Sequence, residues 1–195
     1  MKFSVSEITE LIKHRRSIQP KDQSGREVHR EVVERILTNA TWAPTHGMTQ
    51  PWRFTVYTGP GRERLSKFLG EVYTRTTPPD KFLQRKYENV TLRPLQSAVV
   101  VAIGMVRDPL RKVSERDELL AMACAVQNMH LTCTAYGLAG FWATGGPMTG
   151  ADMRDLLELG PDDLALGLFH IGYPAIPWPK NHRRPLDQVV RWADQ

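Results

Sequence analysis

Glu115–Tyr136, ERDELLAMACAVQNMHLTCTAY, is the longest helical pattern in the chain. It is apolar on more than one face, through Leu119, Leu120, Met122, Ala123, Val126 and Met129. A helix apolar nearly all round belongs at the centre of a domain or of a dimer. Gly137 ends it and Leu138–Ala143 follows as a short strand. The helix asks for more covering surface than the rest of the chain supplies, which points to a second copy. Its two cysteines, Cys124 and Cys133, lie nine residues apart. At about 100° per residue that spacing puts them on opposite faces, too far around for a disulfide or a shared metal. Both are expected as small core residues in a reducing compartment.

Upstream, Ser4 with Glu7 has capping-box spacing and predicts a first helix that buries Ile8, Leu11 and Ile12 and ends in His14-Arg15-Arg16-Ser17. Ser24 with Glu27 predicts a second helix, with Val28, Val32, Ile36, Leu37 and Ala40 on one face, stopping near Pro44. Arg53–Thr58 alternates as a strand. Gly59-Pro60-Gly61 breaks it, and Leu65, Phe68, Leu69 and Val72 mark a third helix. Thr76–Asp80 is expected as a flexible surface excursion, and Lys81–Arg93 is charged without a clear period. Ser97–Val106 predicts a buried strand from its β-branched residues. Beyond the central helix, Thr149 opens a helix through Met153, Leu156 and Leu157 to Gly160, Leu164–Tyr173 is a strong strand, and a proline-rich tail ends in the basic-amphipathic Arg183–Trp192. About four strands surrounded by helices make an α+β arrangement.

At 195 residues one domain over 1–195 is expected, with 41% hydrophobic and 24% charged residues as in ordinary globular chains. The net charge of +5 comes from 26 basic and 21 acidic residues that are interspersed, so it argues for an anionic small ligand rather than nucleic acid. The N-terminal stretch has no hydrophobic leader, and the longest apolar run, Ala98–Val106, is too short for a bilayer, so a cytoplasmic protein without a membrane partner is expected.

Four constellations bear on chemistry. Arg15, Arg16 and Ser17 offer guanidinium forks and a hydroxyl suited to phosphate, although cations at a helix end also complement its dipole. Ala43–Trp52 is a polar loop between a helix and a strand, carrying Thr45, His46, Thr49 and Gln50 between two prolines. Gly137–Met148, GLAGFWATGGPM, brings glycines that let backbone approach a ligand closely, without a GxGxxG or Walker pattern. The tail holds Arg183 and Arg184, a second basic pair that either closes over a phosphate or is solvated. HExxH, GxSxG and Cys/His clusters are missing, so neither a metal nor a serine nucleophile is expected.

In this order (Arg15-Arg16-Ser17, the Ala43-Pro44…His46…Gln50-Pro51-Trp52 loop, Gly137-Leu-Ala-Gly-Phe-Trp142…Gly145, the Leu166–Pro174 strand and Arg183-Arg184-Pro185-Leu186) the motifs resemble the nitroreductase family, above all its short bacterial members. The resemblance implies a small, mostly antiparallel four- to five-stranded sheet flanked by helices, in a homodimer with intertwined termini. It implies FMN bound between the two subunits, with NADH or NADPH as electron donor. Arg15 and Ser17 match the residues that hold the FMN phosphate, with Arg16 reaching ribityl or ring oxygens and Arg183 or Arg184 completing the phosphate site. His46 and Gln50 match loop positions that reach the flavin held mainly by the other subunit. Ala143, Thr144, Gly145 and Gly146, led by Trp142, match the segment lying against the isoalloxazine. Gln19 departs from the pattern, since many relatives carry a basic residue there.

Two-electron chemistry at flavin N5 needs no catalytic acid or base from the protein. The resemblance therefore implies a ping-pong NAD(P)H oxidoreductase acting on nitroaromatic, quinone or related electrophilic small molecules, with His46 the candidate proton donor. The alternatives are a flavin-binding protein without turnover, or an oxygen-using or dehalogenating flavoenzyme of the same superfamily.

Overall fold

The computed structural model describes residues 3–193. Along the chain run α1 (Val5–His14), α2 (Arg30–Ala40), β1 (Trp52–Tyr57), α3 (Pro60–Thr76), α4 (Gln84–Gln96), β2 (Val99–Met105), α5 (Glu115–Ala135), β3 (Ala139–Ala143), α6 (Ala151–Leu156) and β4 (Leu164–Gly172), with short 3₁₀ turns between them. The four strands form one antiparallel sheet in the order β1-β2-β4-β3. This is the α+β arrangement the sequence predicts.

The unbroken apolar run of β2 is explained by cover on both faces. Val99, Val101, Ile103 and Met105 point to one side, where Val33, Ile36 and Ala40 of α2 meet Met122, Ala125, Val126, Met129 and Cys133 of α5. Val100 and Ala102 point to the other, against Leu65, Leu69 and Tyr73 of α3, Val90 of α4 and Met153 of α6. A strand buried on both faces loses the polar alternation of a half-exposed one. Ser114 caps α5 by accepting the Asp117 N–H at 3.1 Å, and three acidic residues follow in the first turn, where the helix dipole favours them.

Several expectations fail, each for a definable reason. The capping box at Ser4 forms, its hydroxyl accepting from Glu7 N at 3.3 Å, but α1 buries nothing; Ile8 and Ile12 are 46% and 53% exposed. Periodicity identifies an apolar face without saying which chain covers it. The second helix begins at Arg30 rather than at Ser24, because the intervening segment is held extended: Ser24 N donates to Tyr173 O, and Gln23 bridges Pro174. Thr76–Asp80 is no loose excursion. α3 runs through Thr76, a 3₁₀ turn covers Pro79–Lys81, and the charged Lys81–Arg93 stretch belongs largely to α4. The α3–α4 hairpin is tight because Gly70 has no side chain; a Cβ there would stand 2.9 Å from Thr91 Cγ2. Thr149 ends a 3₁₀ turn instead of capping a helix, and α6 stops at Leu156. Cys133 is buried as expected, but Cys124 is exposed, because α5 presents one flank to solvent.

Candidate functional site

The edge strand β3 organises the predicted residues. The chain leaving α1 runs beside it, with Ser17 in a parallel bridge to Gly140 and Ile18 N donating to Gly140 O at 3.3 Å. Successive side chains of an extended segment alternate between faces, so Arg15 and Ser17 share one face, and Arg15 Nη1 donates to Ser17 Oγ at 3.3 Å.

Arg183 comes back from the tail to the same place. Partial burial, then the positive charges of Arg183 and Arg16, lower the Arg15 guanidinium's hold on its proton. None of these three arginines pairs with a carboxylate among the described residues. Crowded guanidinium groups without a counter-ion, beside a hydroxyl that can still donate its own proton, are the donor set that a phosphate monoester satisfies. Arg183 and Arg184 are both exposed, and it is the charge of Arg183 that acts on Arg15.

Arg16 does something else. Its Nε donates to Pro179 O at 2.6 Å and its Nη1 to Lys13 O and Arg15 O at 2.6 and 2.9 Å. Trp178 Nε1 adds a 2.6 Å bond to His14 O. The tail is thus clasped to the end of α1, and the clasp carries Arg183 towards Arg15. These bonds use Nε and Nη1 of Arg16 on backbone carbonyls.

At the far end of β3, Ala143 is buried while Thr144, Gly145 and Gly146 are exposed. A Cβ on either glycine would meet nothing within 4 Å, and Gly146 has φ +60°, so this backbone is open to a flat ligand. Trp142 directs its indole N–H inward, to Leu166 O at 2.9 Å, and packs against the core.

His46 and Gln50 lie elsewhere. His46 Nδ1 is 3.3 Å from Asp117 Oδ2 at the start of α5, and hydrogen bonding from Ser114, then from His46, holds the Asp117 carboxyl below the usual carboxylate range. The Thr45 hydroxyl folds the loop by accepting Gln50 N at 3.1 Å. Met48 and Gln50 sit in the left-handed region at φ +53° and +46°, a conformation side chains adopt at a cost and that clusters at ligand sites. Neither Asp117 nor His130, a buried imidazole of α5 within electrostatic reach of Arg15, belongs to a sequence motif. The signals available were the Ser114–Asp117 spacing and a lone histidine in an apolar stripe.

A cavity of about 680 Å³ follows the opposite sheet edge, between Val28, Val33 and Leu37 of the α2 region and Val56 of β1, with Arg30, Glu34 and Arg62 also in its lining. Its arginines are already engaged, Arg30 with the Glu34 carboxylate and Arg62 with the carbonyls of Leu95 and Ser97, whereas the guanidinium groups at the β3 edge have no carboxylate partner. No helix among the described residues is long and apolar enough to cross a membrane, and no group of three metal-ligating side chains is present among them.

The model of a protein family described as "Nitroreductase family" matches residues 12–173. The Escherichia coli (strain K12) protein YdjA, named as a candidate NAD(P)H nitroreductase, is 27% identical over 146 residues, covering 75% of this chain and 78% of that protein. Among solved structures, a nitroreductase-like family protein from Bacillus cereus superposes with a TM-score of 0.81 at 24% identity over 100% of both chains. The FMN and NADPH-dependent nitroreductase NfnB of Sphigopyxis sp. strain HMH does so with a TM-score of 0.75 at 21% identity, over 96% of this chain and 99% of that one.

Proposed function

This chain belongs to the nitroreductase family, and we propose that it is an NAD(P)H oxidoreductase that holds FMN along the β3 edge and passes electrons to electrophilic aromatic or quinone-like small molecules. The observation that carries this is the counter-ion-free cluster of Arg15 and Arg183 beside Ser17, at one end of a strand whose other end opens into exposed Thr144, Gly145 and Gly146. The first group suits a phosphate and the second a flat ring, in the order a riboflavin phosphate would need. The FMN and NADPH dependence in NfnB's name supports the same reading. When bound, the flavin supplies two-electron chemistry at N5, which fits a site without a catalytic acid–base pair. The protein's own part is to anchor the phosphate, present backbone to one ring face and leave the other open.

The site is completed by a second copy of the chain. His130 follows Asp117 by thirteen residues along α5, about 20 Å at 1.5 Å per residue. His46, at the Asp117 end, therefore cannot meet Arg15, at the His130 end, within one subunit. In a two-fold dimer with the α5 helices antiparallel, His46 and Gln50 of the partner subunit come to the Arg15 end. Leu120 (54% exposed) on α5, Ile8 and Ile12 on α1, and Leu186 and Trp192 of the tail are the apolar surfaces such a dimer would cover, with tail exchange intertwining the termini.

Purified protein is expected to be yellow, to release FMN on denaturation and to bleach when NADH or NADPH is added without oxygen. A colourless chain that takes up no added FMN overturns the cofactor. A yellow one that neither nucleotide bleaches is a flavin carrier without turnover.

A further inference from the structure

His130 is only 7% exposed, and its ring meets Phe169 edge-on with centroids 4.6 Å apart. It reaches this position because Gly140 has no side chain: a Cβ there would stand 2.9 Å from His130 Nδ1, 3.3 Å from Cε1 and 2.8 Å from Phe169 Cζ. Gly140 is also the residue bridged to Ser17. Residues in register across a bridge present their side chains to the same face. The imidazole therefore lies on the face that carries Ser17 and, two residues earlier, Arg15.

The ring has a defined orientation. Its Nδ1–Cε1 edge packs on Gly140, and Nδ1 is buried without a partner, whereas Nε2 is not among the buried unpartnered atoms. Orphaned buried N–H groups are rarer than under-used acceptors, so the proton belongs on Nε2. Burial, then the charge of Arg15, keeps the ring neutral by pushing its pKa down to about 4.

We propose that His130 is a further phosphate ligand, its Nε2–H donating to the cofactor's phosphate monoester alongside Arg15, Ser17 and Arg183. The assignment rests on the FMN reading above. A neutral donor suits this place, because Arg15 already feels the repulsion of Arg183 and Arg16. An imidazole adds a directed hydrogen bond without a fourth charge.

The test compares FMN with riboflavin, which lacks the phosphate, by titrating apoprotein and following flavin fluorescence. His130→Phe keeps an aromatic ring against Phe169 and is expected to weaken FMN about 10-fold, the scale of one charge-assisted hydrogen bond, while leaving riboflavin unchanged. His130→Gln restores an N–H and should recover part of the preference. In parallel, inorganic phosphate added to the wild-type apoprotein should shift the ¹⁵N resonance of His130 Nε2 while Nδ1 stays unprotonated. A folded His130→Phe protein with the wild-type FMN-to-riboflavin ratio, or with equal losses for both, overturns the proposal. So does an Nε2 resonance indifferent to phosphate, which decides the matter if the variant fails to fold. A wild-type protein that binds phosphate through His130 but no FMN would instead sink the cofactor while sparing the ligand.

Discussion

Gly140→Ala adds one methyl group at the point where β3 lies on α5, and the structure sets its consequence. The new carbon would stand 2.8 Å from Phe169 Cζ and 2.9 Å from His130 Nδ1. Comfortable carbon contacts are about 3.5–4.0 Å, so roughly 0.7 Å or more must be recovered. Phe169 is 0% exposed and has no room to retreat. Either the imidazole leaves its place or β3 backs away from α5, taking the Ser17 bridge with it. Overpacking of this kind costs about 1–3 kcal/mol, partly offset by about 0.5–1 kcal/mol from the stiffer unfolded chain. The mid-range net cost is about 1.25 kcal/mol, and for a chain of this size each kcal/mol moves Tm by about 2–4 °C, so a fall of about 2.5–5 °C is expected. Apoprotein melts followed by FMN titration check both halves, because displacement of Ser17 and His130 should also weaken FMN. Gly150→Ala is the control: its Cβ meets nothing within 4 Å and its φ is −84°. A Gly140→Ala protein that melts at or above wild type and binds FMN equally well would refute the claim that this close approach positions the site.

Neighbouring arginines should separate cleanly. Arg15→Ala is expected to weaken FMN by about 10- to 100-fold through loss of a charge-assisted fork, whereas Arg16→Ala should chiefly free the tail, seen as faster proteolysis after Pro179; equal effects on both readouts would show that the two side chains do not divide the work. Burial, then the charge of Arg93, pushes the His170 pKa down to about 3 from 6.5, so the unfolded chain binds the extra proton between those values. Stability is therefore complete above about pH 6.5 and falls as pH drops through the window, by about 1.4 kcal/mol per pH unit from this group. Urea titrations at pH 7, 6, 5 and 4 should give His170→Leu a shallower decline than wild type, and parallel declines would argue against a neutral buried ring. Leu120→Glu puts a charge on the exposed flank of α5; sedimentation should find monomer with little FMN, and a dimer retaining FMN would exclude that flank as the interface.

What could be read from the sequence followed from how strongly each pattern is tied to this chain alone. The β2 run and the α5 pattern are buried by their own subunit on several sides, so hydrophobicity located both closely. α1 has an equally clear apolar stripe, but the described residues leave it largely uncovered, and the expectation of burial fails at Ile8 and Ile12. α4 escaped notice because its outward residues are mostly charged and its inward anchors are few, chiefly Val90 and Pro94; Gly70 of α3, by lacking a side chain, lets it dock. The start of α2 was misplaced because the Ser24–Glu27 spacing is a local signal, outweighed there by the long-range pairing of Gln23 and Ser24 with the end of β4.

The candidate site shows the same limit at the scale of single side chains. Arg15 and Arg16 are adjacent and chemically identical, and only the third dimension assigns them. An extended segment turns consecutive residues to opposite faces. Arg15 thus faces Ser17 and the proposed phosphate site, while Arg16 meets the carbonyl of Pro179. The two are nonetheless linked. The Arg16 and Trp178 bonds anchor the tail four and five residues before Arg183, and so determine which of Arg183 and Arg184 approaches Arg15. Cutting the clasp should therefore weaken the phosphate site without removing any of its ligands. A loss of FMN affinity in Arg16→Ala that Arg183→Ala does not deepen would identify that coupling.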